Sequence, residues 1–534
     1  MPSRRTFIKT TAAGGTCLLL NPFGKAVSGG GSNPIRIYHA SISIDALKKD
    51  PDLADILAGA GVKCVWTACF FQGSWHHTIE EVLEWNKFIE KKGMQAAQIT
   101  IPLGHPSFTS SAPDYMPPVA VDIWKPGMRP DGRTYYGVSL HEGATRQNVE
   151  AVKKIKTTDP GIIFLDDDFR LAPSPADIGG CFCPIHQKAF LESHGYSEAQ
   201  WGDLLNAVQT RTLTPILREW IDQTCRELTA CFKAQQEAAH PEARLGIMVM
   251  YLGSEKAGIR LPEYAGMPFR VGEGMFNDQS FNPLKGKTIE LFSCLFHRRF
   301  TPPEEAFSET TAWPPDGLSA ENMSAKLAIS TIADVRHTMF MSGNTPFPRT
   351  HWEVLAPAMK HNAALHEKVA GHSPAGPFKH FWGEHSRMVG DDNPFSLFLA
   401  LGVPFEVVEK PSDSGWTFIS DSDARGLGDS QIVPGEQATW VQRIPSVQPS
   451  PRILTLEEKP EALFEWRRSI LPKLKNIPYI LEEKPAVCAW YPTAGSALVW
   501  NLGYTHEKFS LSFNGNIRTL EADPLSIHLV DNLA

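Results

Sequence analysis

Gly161-Ile-Ile-Phe-Leu-Asp-Asp-Asp-Phe-Arg170 is the stretch on which the reading of this chain turns. Its four consecutive apolar residues read as a strand buried on both faces, the pattern of parallel sheets covered by helices. Three carboxylates then follow without a break. Like charges so close raise one another's pKa and are costly in a closed core, so this strand is expected to end in a solvated opening. In a (β/α)8 barrel the C-terminal strand ends carry the active site. Asp166, Asp167 and Asp168 are therefore the leading catalytic candidates.

Outward from this strand the same rhythm repeats. Strands are predicted at 35–44, 62–71, 94–103, 161–169, 245–252, 269–275, 289–296 and 339–341, with helices at 51–61, 79–93, 145–156, 201–240, 320–337 and 353–369. Eight such units predict a TIM barrel, whose usual size is ~250 residues and more with insertions. No G-x-G-x-x-G or P-loop pattern follows any strand, so no organic cofactor is expected. Past Gly371, His372-Ser-Pro-Ala-Gly-Pro377 reads as a linker into a small α/β unit. From Ala486 the chain reads as short strands of a β-sandwich, with Asn514-Gly515 as a hairpin turn. The expected layout is a signal segment 1–32, a barrel 33–373, an α/β domain 374–480 and a β-sandwich 481–534.

The signal reading rests on Arg4-Arg5, followed by the weakly apolar stretch Thr10 to Leu20 and the small residues 26–32. That stretch is shorter than the ~20 residues a membrane span needs. It reads as a twin-arginine export signal, later removed, which predicts a periplasmic or secreted protein with no stable membrane insertion. At 42 % hydrophobic and 21 % charged residues the remainder is globular in composition. Net charge is −8, and −12 once the four basic residues of the first 32 are gone. Nucleic acid, which needs phosphate neutralisation by Lys and Arg, is excluded as a partner on that ground.

Further candidates fall at the ends of predicted strands. Glu273, in Arg270-Val-Gly-Glu-Gly-Met275, lies between glycines that permit close approach of a ligand; the alternative is a turn glutamate held by Arg270. Asp278 follows shortly after it. His39, Trp75, His105, His297 and Asn344 are candidate substrate-binding residues, Trp75 as a stacking surface. Cys181-Phe-Cys-Pro-Ile-His186 offers zinc-type ligands, but three where a structural site takes four. A structural zinc on Cys181, Cys183 and His186, and a pair of buried thiols beside a solvated histidine, are equal readings of it. The remaining cysteines stand singly and read as packing residues.

Around these motifs the chain resembles the family-42 glycoside hydrolases and related barrels with a trimerisation domain. There a strand ends in Asp-Asn-Glu-Tyr, followed by Cys-x-Cys-x-x-Cys, then Ala-Phe and Trp-Gly. Here the order is Asp166-Asp-Asp-Phe169, Cys181-Phe-Cys-Pro-Ile-His186, Ala189-Phe190 and Trp201-Gly202. The resemblance implies glycoside hydrolysis of an oligo- or polysaccharide, zinc ligands at Cys181, Cys183 and His186, and a homotrimer. It puts Asp168 on the acid/base glutamate and Asp167 on the asparagine. Two departures stand out. The acid is one methylene shorter, and the predicted seventh strand, 289–296, has no carboxylate at its C-terminal end to match the family's nucleophile. Glu290 lies at the other end, which in a barrel reads as stability. Glycoside hydrolysis needs two carboxyl groups, and Glu273 is the expected second one. Two rivals stand beside this reading: a metal-dependent hydrolase or lyase using Asp166, Asp167 and histidines, and a carbohydrate-binding barrel that has lost its nucleophile.

Overall fold

The computed structural model describes residues 35–71, 73–103, 123–166, 169–272 and 274–533. The signal segment with Arg4 and Arg5, and the candidates His105, Asp167, Asp168 and Glu273, lie outside the described residues.

Eight parallel strands close into a barrel: β1 (Ile37–Ser41), β2 (Cys64–Phe71), β3 (Gln95–Ile101), β4 (Ile162–Leu165), β5 (Arg244–Met250), β6 (Phe269–Gly272), β7 (Ala306–Thr311) and β8 (His337–Met341). β1 pairs with both β2 and β8, which seals the ring, with Ile37 opposite His337 and His39 opposite Cys64. Caps fix where the surrounding helices start. In Ile79–Lys91, for instance, the Thr78 side chain accepts the Glu81 N–H, which satisfies a donor the first turn leaves without a partner.

One predicted strand is corrected. Residues 289–296 belong to the helix Leu284–His297, in which every residue from Gly286 to His297 is buried. A helix buried on every side, its polar Glu290 and Ser293 included, shows no solvent-facing stripe to mark its period, so its sequence reads like a buried strand. The true seventh strand is β7, Ala-Phe-Ser-Glu-Thr-Thr, whose middle residues are polar and still buried. Its polarity hid it. The predicted helix 320–337 likewise stops at Ile332, and His337 opens β8.

The barrel interior is filled by side chains from several strands. Trp66, Phe164 and Phe307 meet at centroid distances of 4.9 Å and 5.0 Å, each fully buried and each contributing about 1.5–3 kcal/mol in burial. Gly246 makes room for Phe164, since a Cβ there would stand 2.5 Å from the ring. His39, expected to line the opening, is corrected to this interior layer. Its ring is fully buried, its Nδ1 accepts from Trp66 Nε1 at 3.0 Å, and its Nε2 lies 2.9 Å from His337 Nδ1. With Nδ1 accepting, Nε2 carries the proton and donates to His337, whose Nε2 donates in turn to the Glu304 carbonyl at 3.1 Å. The chain of donors is satisfied with both rings neutral, and burial lowers both pKa values.

Beyond the barrel, β9 (Phe378–Phe381), β10 (Phe405–Val408), β11 (Ser414–Ile419), β12 (Gln437–Gln442) and β13 (Ile453–Thr455) form a parallel sheet in the order β10-β9-β11-β12-β13. This is the doubly wound order whose switch point lies between β9 and β11. At that point the buried Asp423 carboxylate accepts from Gly383 N–H at 2.8 Å, Ser386 N–H at 3.2 Å, Ser386 Oγ at 2.6 Å and Ser420 Oγ at 3.0 Å. The last part of the chain forms two three-stranded antiparallel sheets. Asn514 and Gly515, both at positive φ, make the expected hairpin turn between Glu507–Phe513 and Asn516–Ala522.

Candidate active site

Where β4, β6 and β7 approach the C-terminal end of the barrel, three charged side chains meet in its interior. Arg270 on β6 is fully buried; its guanidinium pairs with Asp166, immediately after β4, and its Nε lies 2.8 Å from Oε2 of Glu309 on β7. Nη1 reaches Met339 Sδ at 3.0 Å, and the guanidinium stands 5.3 Å from the Phe164 ring centre. Thr311 donates to the other Glu309 oxygen. Burial pulls the Arg270 pKa down, and the Glu309 charge opposes that pull. The arrangement puts carboxylates from the fourth and seventh strands on one cation, inside a wall of low dielectric where charges act strongly.

Glu309 is the residue that sequence reasoning missed. The signal was present in Phe307-Ser-Glu309, one carboxylate after an apolar residue, but the strand had been placed on the buried helix upstream. Arg270, read as a partner for Glu273, pairs among the described residues with Asp166 and Glu309. Glu273 follows directly on the last residue of β6 in the chain. The segment just beyond it is gripped from below. Glu290 Oε1 accepts the Met275 N–H at 2.6 Å, and Lys326 donates to the Met275 carbonyl at 3.3 Å while lying 3.5 Å from Glu290 Oε2. Burial raises the Glu290 pKa against the pull of Lys326.

The other candidates fall in different places. Asn344 does lie at the rim, accepting from Ser41 Oγ at 2.9 Å and so tying the ends of β8 and β1. Trp75 pairs with the end of β2, and its ring sits 5.0 Å from Phe70 and 5.4 Å from the Lys154 ammonium of the outer helix Glu142–Ile155. His297 is corrected: it ends a helix rather than a strand and is fully buried. Its Nδ1 donates to the Ser293 carbonyl at 2.8 Å, and burial lowers its pKa to about 4. Two rim features had no sequence signal. Tyr251, next after β5, holds φ +56°, a strained state for a bulky residue and of a kind that clusters at functional sites. Trp313, two residues past β7, is 61 % exposed.

The cysteine motif lies beside this opening and gains a member. His141 Nδ1 or Nε2, Cys183 Sγ and a His186 nitrogen lie within 4.8 Å of one another. Cys183 Sγ is 3.2 Å from His186 Nδ1, while His186 Nε2 donates to the Leu140 carbonyl at 3.3 Å with Glu227 at 3.8 Å behind it. That leaves the Nδ1 lone pair facing the thiol, the orientation a metal-binding histidine takes when its other nitrogen is held from outside. Cys181 does not fall within that three-residue group. Its thiol hydrogen-bonds to Cys183 and Ser139, a share that pulls it down to about 6 and pushes Cys183 up to about 12. The three side chains His141, Cys183 and His186 are a metal-type donor group, one short of the four ligands a structural zinc site takes. All eight described cysteines are free thiols.

No family model matches the chain, and no curated protein matches it. Solved structures do. A β-galactosidase from the Antarctic haloarchaeon Halorubrum lacusprofundi is 11 % identical, with a TM-score of 0.58 over 93 % of this chain and 99 % of its own. The cold-adapted β-galactosidase of Rahnella sp. R3 is 10 % identical, with a TM-score of 0.59 over 93 % of this chain and 98 % of its own. Identity this low speaks for the fold: the chain is a TIM barrel with added sheets, similar in fold to these β-galactosidases over 93 % of its length.

Proposed function

We propose that the protein is an exported glycoside hydrolase in which Asp168 is the general acid and Glu309 the nucleophile or base. The observation that carries this is the meeting of a fourth-strand and a seventh-strand carboxylate on Arg270. Glycosidic bond cleavage needs one carboxylic acid to protonate the leaving oxygen and a second carboxylate to attack the anomeric carbon or activate water. Asp166 is held by the guanidinium; of the other two, Asp168 is the one that the family resemblance puts at the acid/base position. Glu309 takes over the part that sequence alone gave to Glu273. Arg270 positions Glu309 through its Nε, 2.8 Å from Oε2. Trp313 and Asn344 stand at the rim as sugar-binding side chains.

Both rivals lose ground. The degenerate barrel rested on a seventh strand without a carboxylate, and Glu309 fills that gap. The metal-dependent rival needed Asp166 for a cation, and Asp166 is engaged by Arg270. We assign a structural zinc to Cys181, Cys183, His186 and His141, two thiolates and two imidazoles, which braces the loop after β4. Export follows from Arg4-Arg5.

Aryl glycosides with good and poor leaving groups test the assignment. Asp168→Asn is expected to lose ~10²–10⁴-fold on poor leaving groups and much less on good ones, which need little protonation. Glu309→Gln is expected to be inactive on both. Full activity of Glu309→Gln on an unactivated glycoside refutes its role; equal losses on both substrate types in Asp168→Asn remove Asp168 as the acid.

A further inference from the structure

A groove of about 600 Å³ runs along the outer flank of the barrel, between the helices Ala320–Ile332 and Arg349–Val369 and the C-terminal turn Pro524 to Ile527. We propose that it is a second saccharide site, which holds a neutral stretch of sugar chain apart from the barrel mouth; the proposal rests on the glycoside hydrolase reading. The volume lies within the ~300–1,000 Å³ of small-molecule pockets.

Its centre is Tyr504. The ring is 48 % exposed, yet its position is fixed: the hydroxyl lies 2.6 Å from Asn282 Oδ1 and 3.1 Å from Asn322 Oδ1, and the Lys287 ammonium stands 4.6 Å from the ring centre. An aromatic surface held in advance spares the ordering cost of binding. Asn322 is itself anchored, donating to Asp278 Oδ1 at 2.7 Å, so loop, helix and C-terminal sheets share one polar network. Around the ring the lining alternates Asp278, Asn282, His361 and Ser526 with the apolar Ala358. Carboxylate, amide, imidazole and hydroxyl groups match vicinal hydroxyls, and an apolar strip with an aromatic ring matches the C–H face of a pyranose.

Charge narrows the ligand. Asp278 and Glu321 line the groove, and the Lys287 ammonium against the Tyr504 ring is itself buried. Sulfated or uronic acid chains would meet repulsion; neutral hexose or pentose chains would not. The groove also has a route to the mouth. Trp313 donates its N–H to the Phe276 carbonyl, and Asp278 donates its N–H to Gly317, both at 3.0 Å. These bonds join the loops after β6 and β7, and the exposed Trp313 lies on the path in sequence from Glu309 to Ser319 at the groove.

Calorimetric titration of full-length Glu309→Gln with neutral tetrasaccharides of β-1,4-linked galactose, glucose, mannose and xylose is the test. At least one is expected to fill two sites per chain. Ala358→Trp, which fills the groove from a half-buried position in its wall, is expected to abolish one of them. In the active background Ala358→Trp should raise KM on the matching polysaccharide roughly 5–10-fold and leave kcat/KM on an aryl monoglycoside within about twofold, a binding effect without a chemical one. Tyr504→Phe, which keeps the ring, should retain more binding than Tyr504→Ala. A single site in the parent, or two sites in Ala358→Trp, overturns the groove while leaving the catalytic reading intact. Absence of both tetrasaccharide binding and turnover of any glycoside overturns the two together.

Discussion

Replacing Arg270 by Met exposes the logic of the site most directly. The guanidinium is fully buried between Asp166 and Glu309, so the substitution leaves two buried carboxylates facing each other without a counter-charge. Removing one partner of a buried ion pair costs about 3–5 kcal/mol, against a typical total stability of about 5–15 kcal/mol. The loss has a built-in limit. Once repulsion outweighs the cost of protonation, one carboxylate takes up a proton and the pair behaves as a shared-proton dyad. Arg270→Met should therefore be worst above neutrality and recover part of its deficit as pH falls towards 5. Denaturant midpoints at pH 8 and pH 5 for the parent, Arg270→Met and the triple change Arg270→Met, Asp166→Asn, Glu309→Gln give the reading. The triple should regain most of the loss, because exchanging a whole buried ionic cluster for neutral groups of similar volume is often close to neutral. If Arg270→Met costs under about 1 kcal/mol at pH 8, or the triple is no better than the single, then the guanidinium does not hold these carboxylates, and the coupling of β4 to β7 falls with it.

The remaining expectations are simpler. His39, His337 and His297 are buried and neutral, with His337 lowered to about 3 and His297 to about 4 by burial. Their contribution to stability is complete above the unfolded value near 6.5 and drains away as pH falls towards the folded values, at about 1.4 kcal/mol per pH unit for each; unfolding midpoints between pH 7 and 4.5 check this, and a flat profile refutes it. Purified protein should carry one zinc per chain, and Cys183→Ser should lose it together with several degrees of melting temperature; metal-free parent protein of full stability would leave the motif as a hydrogen-bonded cluster. Changing Arg4 and Arg5 to Lys should strand the precursor in the cytoplasm, which cell fractionation shows; unimpaired export removes the twin-arginine reading.

Much of the architecture was legible because its signals are local. Ile162–Leu165 announces a two-sided buried strand, and Asn514-Gly515 needs only its own backbone preference to declare a turn. The site was legible where a charge breaks an apolar run, as at Asp166. It failed where the decisive property is tertiary. Helix Leu284–His297 is wrapped on every side, so nothing in its pattern separates it from a strand, and it took the place of β7 in a count that still reached eight. Glu309 was lost with that strand. His39 and His297 sat at the right kind of place in the chain, but burial depends on neighbours contributed from other parts of it. Arg270 lies 104 residues from Asp166, a separation across which no spacing rule speaks.

The small parallel sheet carries a last implication. In doubly wound sheets the crevice at the switch point is where a ligand normally docks, and here Asp423 occupies it with four donors already turned towards its carboxylate. The lock was built around a key that belongs to the chain. With these donors taken up by a side chain of the same polypeptide, the stabilisation they give does not vary with the concentration of a dissociable partner.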